Sequence, residues 1–199
     1  MIDKSLLKDG DIFLFHAKGF NLFSMAIREL TQSYWNHCGL YYSNVYKEGF
    51  IIEALGNGVV KNPVENYLAE KHSIIKVVRL KPEAFKDEQE YQQGIVTAIS
   101  RMQEKIGSKY DWWGIVWLGF KYLFKGAYKK TRQYVPVGNP LQSREKFWCS
   151  EIICEAFYKI SSLYDYLFQG NTKQTCDTTT PKDIGKSKLV QFVEGYNVN

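Results

Sequence analysis

The sequence is poor in cysteine, in long apolar runs and in net charge. Four Cys in 199 residues are too few for a disulfide scaffold, and their spacing matches no paired zinc-knuckle motif. The most apolar run, Trp112–Phe124, has 13 residues and contains Lys121, so it is too short to span a bilayer. The first residues lack the apolar stretch of a signal peptide. We therefore expect a cytoplasmic protein with free thiols.

The net charge of +5 is too mild to indicate a nucleic-acid partner, but it is unevenly distributed. Between Lys121 and Lys146 there are seven basic residues and one acidic residue, a net charge of +6, which leaves −1 for the rest of the chain. This segment indicates either a solvated loop or a surface for an anionic substrate or a membrane.

What the chain does have is typical of a globular domain. Apolar residues make up 45% and charged residues 24%, values that exclude disordered, collagen-like and coiled-coil architectures. Five Trp, fourteen Tyr and twelve Phe are enough to fill a core and also to line a site.

Hydrophobic periodicity predicts strands first, then a run of helices, then a last strand. The predicted strands are Asp11–Phe15, His37–Tyr42, Phe50–Leu55, Val59–Lys61, Ser73–Leu80 and Lys188–Val193. The predicted helices are Phe20–Leu30, Pro63–Glu70 with Asn62 as N-cap, Ala84–Ile106, Trp112–Lys125 and Cys149–Ile160. This order favours an α+β fold with an antiparallel sheet over a doubly wound parallel one.

Cys149 is the first candidate for chemistry because it opens a predicted helix. Cys149, Ile153 and Ala156 fall on one stripe at helical spacing, so the thiol lies in the first turn on the core side. A helix N-terminus carries partial positive charge, which stabilises a thiolate. The alternative is a small buried residue, the usual environment of a free cysteine. Cys154 lies past the first turn, and we interpret it as structural.

His37 and Glu53 lie on neighbouring predicted strands. Alternation puts His37, Gly39 and Tyr41 on one face of their strand, and a strand histidine alone is most often only a satisfied polar residue. Glu53 interrupts an apolar strand, where a lone carboxylate is costly unless it is paired. A hairpin centred near residue 45 would set Glu53 directly opposite His37. The constellation is then Cys149 as nucleophile, His37 as base and Glu53 as the residue that orients the imidazole.

A second interpretation of these residues is a metal site built from His37, Cys38 and Cys149. Adjacent strand residues point to opposite faces, so His37 and Cys38 do not easily share one ion. We therefore expect neither a metal nor another cofactor.

Six short segments, in this order and at this spacing, resemble the circularly permuted NlpC-like group of papain-fold cysteine hydrolases, and the YiiX-like branch fits best. The segments are Gly10-Asp11-Ile12, Trp35–Tyr41, Ile52-Glu53-Ala54, Tyr110-Asp111, Phe147–Ile153 and Thr180–Ile184. The histidine strand precedes the cysteine helix, which is the reverse of papain and the order of this group. The related lecithin:retinol acyltransferase branch usually has a second His in place of Glu53, so this departure favours the hydrolase-like branch.

The resemblance implies a papain-like α+β fold and a catalytic triad. In it Cys149 is the nucleophile, His37 the base and Glu53 the third residue. We expect the backbone N–H of Cys149 to bind the oxyanion, with Tyr41 as one candidate for the second donor. Four further aromatic residues are candidates for the walls of the cleft: Trp35, Tyr110, Trp112 and Trp148.

The same resemblance sets the expected domain organisation. It implies one domain over residues 1–199, with an antiparallel sheet or small barrel packed against helices and a helical, basic insertion around 84–146.

The expected function is that of a thiol hydrolase acting on an amide or ester bond, for example in a cell-wall-type peptide. The basic and aromatic stretch 112–146 would also suit an acyl lipid at a membrane surface, which makes a lipid-directed acyltransferase or phospholipase-like enzyme the alternative. A simple core helix at Trp112–Phe124 is the competing explanation of that stretch. From another class, a non-catalytic binding module of the same fold is disfavoured by the intact Cys, His and Glu. The expected partner is thus a peptide or acyl-lipid substrate.

Overall fold

The computed structural model describes residues 3–17, 33–68, 73–111, 146–168 and 175–193. Within these ranges the strands are β1 (Ile12–Ala17), β2 (His37–Ser43), β3 (Gly49–Leu55), β4 (Gly58–Pro63), β5 (Ser73–Leu80), β6 (Lys109–Tyr110), β7 (Lys146–Phe147) and β8 (Val190–Phe192). The helices are α1 (Glu65–Leu68), α2 (Glu88–Glu104), α3 (Cys149–Ala156) and α4 (Pro181–Lys186). Short 3₁₀ turns lie at Lys4–Leu6, Pro82–Ala84 and Cys176–Thr178.

Six strands form one antiparallel sheet in the order β4-β3-β2-β1-β5-β8. Strands β6 and β7 pair in parallel as a separate two-stranded ribbon. The predicted α+β fold with an antiparallel sheet is confirmed. The expected small barrel is not formed by the described strands, because their order is linear and ends on β4 and β8, which do not pair with each other.

The sheet is apolar on both faces, as the period of two requires when both faces are covered. On one face Ile12, Leu40 and Ile52 join the larger core cluster, together with side chains of α2, α3 and α4. On the other face Phe13 and Ile75 belong to a smaller cluster, which also holds Tyr67 and Leu68 of α1. The helix that carries Cys149 therefore packs on the first face only.

The longest helix and one of the long strands lie close to where the sequence predicts them. Ser73–Leu80 is confirmed residue for residue. The helix predicted over 84–106 begins at Glu88, because the side chain of Asp87 accepts a hydrogen bond from the Glu90 N–H (2.8 Å) and caps the N-terminus.

The predicted start of α1 is wrong. Asn62 and Pro63 belong to β4, where they pair with Ile51 and Phe50, so Asn62 is not an N-cap and the helix begins at Glu65. The physical reason is that the strand pairing of β4 outweighs the local capping signal.

Two predicted helices and most of the basic segment lie outside the described residues. These are Phe20–Leu30, Trp112–Lys125 and, of the stretch from Lys121 to Lys146, all but Lys146. The extent of the domain and the insertion around 84–146 stay predictions. In the portion of the chain that the structure describes, no helix combines the length and the apolar character needed to cross a membrane.

A disulfide joins Cys154 of α3 to Cys176 of the 3₁₀ turn, with the two Cα atoms 5.3 Å apart. The expectation that all four cysteines are free thiols is therefore wrong for this pair, while Cys38 and Cys149 are free. Sequence spacing did not indicate the bond because the two cysteines are 22 positions apart and meet only through tertiary packing. Cytoplasmic localisation, expected because the sequence shows neither a signal peptide nor a membrane-spanning run, stays a prediction.

The Gly10-Asp11-Ile12 segment has a structural role at the start of β1. Asp11 is fully buried and accepts two hydrogen bonds from Arg79, at 2.6 Å from Nε and 2.8 Å from Nη2, and one from the Lys8 N–H at 2.8 Å. Gly10 precedes it at φ +87, a conformation that favours glycine. This ion pair ties the N-terminal segment to β5.

Candidate active site

The N-terminus of α3 is held in place on both sides of Cys149. Trp148 is the N-cap, and the carboxylate of the buried Glu151 accepts the Trp148 N–H at 3.3 Å. The Ser150 hydroxyl donates to the carbonyl of Thr179 at 2.7 Å, which ties the helix start to the segment before α4. Cys149 is therefore in the first turn, where helix N–H groups have no intrahelical partner and the dipole favours a negative charge.

The Thr180–Ile184 segment supports this arrangement from outside the site. Thr180 caps α4, and the Asp183 carboxylate accepts from both the N–H (2.9 Å) and the hydroxyl (2.6 Å) of Thr180. The adjacent Thr179 is the residue that accepts the Ser150 hydroxyl. The segment thus positions the cysteine helix and carries no reacting group of its own.

His37 and Glu53 are in direct contact, with Nε2 and Oε2 separated by 2.6 Å. The register that brings them together differs from the prediction by two residues. Tyr42 pairs with Phe50 and Leu40 with Ile52, so the hairpin is centred at residue 46 and His37 and Glu53 are diagonal neighbours. An even shift keeps both side chains on the same face, which is why the contact survives.

Gly39 makes the diagonal contact possible. It lies opposite Glu53 when the register of β2 and β3 is extended by one pair. A Cβ atom added at Gly39 would lie 2.5 Å from Cγ2 of Ile51 and 3.2 Å from Cβ of Glu53. The missing side chain leaves the space through which His37 and Glu53 meet.

Sequence reasoning missed two residues that hold Glu53. The carboxylate is 1% exposed, and its Oε1 accepts hydrogen bonds from Asn62 Nδ2 at 2.9 Å and from the Tyr67 hydroxyl. The Gly56-Asn57 turn contained a signal for Asn62. A two-residue hairpin loop there pairs Glu53 with Val60, and Asn62 follows on the same face. Tyr67 comes from α1 and had no such signal.

Cys149 lies beside His37 and Cys38, the first two residues of β2. Both residues act on its thiol electrostatically, Cys38 through its thiol and backbone N–H and His37 through its imidazole. Because Nε2 of His37 is engaged by Glu53, Nδ1 is the nitrogen left for Cys149. The influence of Cys38 and His37 outweighs burial and lowers the pKa of Cys149 well below its usual range.

His37 is the positive partner in this chain of contacts. Burial disfavours the imidazolium, but hydrogen bonds and charges from Cys149 and Glu53 outweigh burial and raise the pKa of His37 to about 10. For Glu53, burial is likewise outweighed by His37, and the pKa of the carboxyl is lowered. The electrostatics therefore favour a thiolate, an imidazolium and a carboxylate in a row.

Tyr41 shares the His37 face, as predicted, but the structure does not bring it to Cys149. It lies four residues further along β2, about 13 Å at the usual strand rise. Its ring stacks on Phe13, with the two ring centroids 6.2 Å apart. Burial first, and then the charges of Asp9 and Asp11, raise the pKa of its hydroxyl. This distance along β2 disfavours Tyr41 as an oxyanion donor, and that role stays a prediction.

Three of the four remaining aromatic candidates lie within the described residues, each in a different place. Tyr110 is buried beside Cys149 and Cys38, and burial first, then their charges, raise the pKa of its hydroxyl. Trp148 is 2% exposed in the core, and its indole N–H finds no hydrogen-bond partner in the described part of the chain. Trp35 is half-buried against Gly185 of α4. Trp112 lies outside the described residues.

The argument against a metal site built from His37, Cys38 and Cys149 is strand alternation, but this does not separate His37 from Cys38 here, since both lie beside Cys149 at the strand end. Even so, across the ranges that the structure describes, no three His, Cys, Asp or Glu side chains form a group able to hold a metal ion.

Comparison with known proteins decides the family. A family model described as permuted papain-like amidase enzymes, YaeF/YiiX, the C92 family, matches residues 6–114, which is more than half of the chain. The chain belongs to this family. The YiiX-like permuted papain fold is thereby confirmed, and the family places the chain in the cysteine hydrolase class. The matched region contains His37 and Glu53, whereas Cys149 lies beyond it.

The solved structures agree on the fold. The crystal structure of metalloprotein YiiX from Escherichia coli O157:H7 is similar to this chain with a TM-score of 0.59 and 15% sequence identity, and the match covers 94% of this chain and 96% of that one. No curated protein matches the chain in sequence.

Proposed function

We propose that this chain hydrolyses amide or ester bonds through a triad of Cys149, His37 and Glu53. The observation that carries the proposal is the 2.6 Å contact between Nε2 of His37 and Oε2 of Glu53, with Cys149 beside His37 in the first turn of α3 and its pKa lowered by the His37 imidazole. A nucleophile, a base and an orienting carboxylate in that order match the general arrangement of covalent hydrolases.

Each member has a defined task. The Cys149 thiolate attacks the substrate carbonyl, and the His37 imidazolium gives its Nδ1 proton to the leaving amine or alcohol. The neutral His37 then takes a proton from the water that cleaves the acyl-enzyme. Glu53 accepts the Nε2–H, which fixes the tautomer, and Asn62 and Tyr67 keep the carboxylate in place.

The oxyanion is assigned to one donor at the start of α3 and one donor in β6. The Cys149 N–H is in the first helical turn, where it is free of intrahelical bonding. The Tyr110 hydroxyl is the second candidate, because it lies beside Cys149 and its raised pKa keeps the proton available for donation.

We propose a peptide amide, such as a cell-wall-type peptide, as the substrate class. The similar crystal structure of YiiX from Escherichia coli O157:H7 is described as that of a metalloprotein, whereas the described residues of this chain include no group of three His, Cys, Asp or Glu side chains that could hold a metal ion. The lipid-directed alternative depends on the stretch 112–146, all of which except Lys146 lies outside the described residues.

Iodoacetamide labelling at pH 6 tests the nucleophile, since an ordinary thiol is only about 0.3% ionised at that pH. We expect rapid labelling at Cys149, loss of that labelling in Cys149→Ala, and slow labelling in His37→Ala with the wild-type rate in the matched control His16→Ala. Labelling of Cys149 at the rate of free cysteine would refute the assignment.

Hydrolysis is tested with a panel of peptide amides and acyl-lipid vesicles, with Cys149→Ala as the blank. Turnover of the peptides alone supports the proposal. Turnover of the lipids alone favours the lipid-directed enzyme, and labelling without turnover of either favours the binding module.

A further inference from the structure

An open cavity of about 490 Å³ lies at the end of α3 that is remote from Cys149. Its walls come from the last turn of α3 and the residues that follow it, from Arg101 of α2, and from the 3₁₀ turn at Cys176–Thr178. Glu155, the first wall residue of α3, is six positions beyond Cys149, about 9 Å along the helix axis at the usual rise. The volume is within the range of small-molecule sites, and the proposed hydrolysis gives this cavity no role.

The disulfide between Cys154 and Cys176 borders the cavity on one side only. Cys176 is a wall residue and is 8% exposed, whereas Cys154 is 3% exposed and is not part of the wall. Thiol–disulfide exchange depends on which sulfur the attacking thiolate can reach. A small thiol in the cavity therefore meets the disulfide from the Cys176 side.

The charges on the walls suit a ligand that itself carries both signs. Arg101 and Lys159 supply two positive charges, and Glu155 and Asp177 supply two negative ones. Glu155 forms no ion pair with any residue that the structure describes. Burial raises the pKa of Glu155, with Lys105 opposing this and Asp177 adding to it. An ammonium group beside Glu155 favours the ionised carboxylate, so the carboxylate in turn attracts such a group.

The positive groups of the cavity are held in place. Nη1 of Arg101 donates to the carbonyls of Ala156 at 3.1 Å and of Tyr158 at 2.7 Å. Nζ of Lys159 lies over the Tyr158 ring, 5.2 Å from its centroid, and the Tyr166 ring lies 4.8 Å from the same ring. These cations suit a ligand carboxylate, and a positive charge also favours the thiolate form of an incoming thiol.

We propose that this cavity binds a small thiol that carries both an ammonium and a carboxylate group, and that the bound thiol opens the disulfide by attacking Cys176. The bond secures the turn that is followed directly by Thr179, whose carbonyl accepts the Ser150 hydroxyl beside Cys149. The disulfide is thus a modification site that is separate from the triad but supports the segment behind it.

The exchange balances in two steps. The ligand thiolate attacks the Cys176 sulfur, the bond between Cys154 and Cys176 breaks, and Cys154 leaves as a thiolate that takes up the proton the ligand thiol had lost. A second molecule of the thiol then attacks the ligand sulfur of the mixed disulfide, which releases Cys176 as a thiol. Overall two small thiols are oxidised to their disulfide, and the protein disulfide is reduced by two electrons to two thiols.

Exchange of the full chain with a matched series of thiols tests the proposal. The free amino acid cysteine carries both charges, N-acetylcysteine only the negative one, cysteine methyl ester only the positive one, and N-acetylcysteine methyl ester neither. Each rate is divided by the rate of the same thiol with the urea-denatured protein, which removes differences in intrinsic reactivity. On this scale we expect the doubly charged thiol to exceed the neutral one about tenfold. After quenching with N-ethylmaleimide, tryptic mapping should find the thiol adduct on Cys176 in peptide 174–182 and not on Cys154 in peptide 147–159.

Two variants assign the charges. Glu155→Gln should remove the advantage of the doubly charged thiol over N-acetylcysteine, and Lys159→Gln should remove its advantage over cysteine methyl ester. Lys186→Gln, at an exposed position of α4, is the matched control and should keep both advantages.

The proposal is overturned if the adduct forms on Cys154, or if the four thiols exchange alike with the folded wild type. The wild-type series decides by itself if a variant does not fold. Cys149 takes no part in the exchange, so hydrolysis without this thiol preference removes only the present inference. The preference without hydrolysis removes only the proposed function.

Discussion

Replacing Glu53 with Gln should lower the pKa of His37. The two side chains are nearly equal in volume, so the packing around His37 should stay unchanged. Gln cannot carry the negative charge that faces Nε2 of His37 at 2.6 Å. The pKa of His37 is raised to about 10 from 6.5, an interval worth about 5 kcal/mol. An opposite charge within about 4–6 Å shifts a pKa by about 1–3 units, so we expect the loss of the carboxylate to lower the pKa of His37 by about 1.5 units, or about 2 kcal/mol.

The sign follows from the direction of the His37 pKa. A group whose pKa is higher in the folded state stabilises the fold fully below its unfolded value, here 6.5, and this contribution is lost as the pH rises through about 10. In Glu53→Gln the alkaline loss of activity and of stability should therefore begin about 1.5 pH units lower. At neutral pH the imidazolium persists, and we expect about a 100-fold fall in kcat/KM from the poorer orientation of the ring.

The assay is an NMR titration of the histidine ring protons between pH 5 and 11, together with the pH profile of hydrolysis. The chain has only three His, so the signals can be assigned with His16→Ala and His37→Ala. Glu104→Gln, on the exposed side of α2, is the matched control and should leave the profile unchanged. An alkaline inflection in folded Glu53→Gln that coincides with the wild type would show that Glu53 does not hold the proton on His37.

Two further predictions concern the frame around the site. Gly39→Ala should lower the free energy of unfolding, measured by urea denaturation, by about 1–3 kcal/mol and should also lower activity. The reason is that the new Cβ would lie 2.5 Å from Ile51 and 3.2 Å from Glu53. A variant as stable as the wild type would show that the strands adjust freely. Reducing the disulfide between Cys154 and Cys176, which are 22 positions apart, should lower the free energy of unfolding by about 3 kcal/mol. A thiol titration of the denatured, unreduced protein should find two thiols, those of Cys38 and Cys149. Four thiols would show that the bond does not form.

The register of the β2–β3 hairpin shows where local reasoning stops. The loop of residues 44–48 is shaped by the Asn44 side chain, whose Oδ1 accepts the N–H groups of Tyr46 (2.9 Å) and Glu48 (3.0 Å). These bonds set the hairpin centre one position beyond the predicted one. Because side chains alternate with a period of two, the predicted face of Glu53 and its contact with His37 were right, although Gly39 and not His37 lies directly opposite Glu53.

The residues that contact Glu53 and Cys149 also differ in whether the sequence indicates them. The hairpin turn at Gly56-Asn57 is a sequence signal that places Asn62 beside Glu53, but the predicted role of Asn62 was that of an N-cap. Tyr67 reaches Glu53 from α1, across the smaller cluster. Cys38 reaches Cys149 because α3 packs against the end of β2, and no sequence spacing encodes that contact.

The sequence by itself determined the α+β class, the strands that carry His37 and Glu53, and the helix that begins at Cys149, because periodicity and capping are local properties of the chain. Only the tertiary structure decided that Cys149 lies beside both His37 and Cys38, that Cys154 bonds to Cys176, and that the Tyr41 ring stacks on Phe13. These contacts depend on how the sheet and the helices pack, which brings together residues that are distant in sequence, by 22 positions for the disulfide and by more than a hundred for Cys149 and His37.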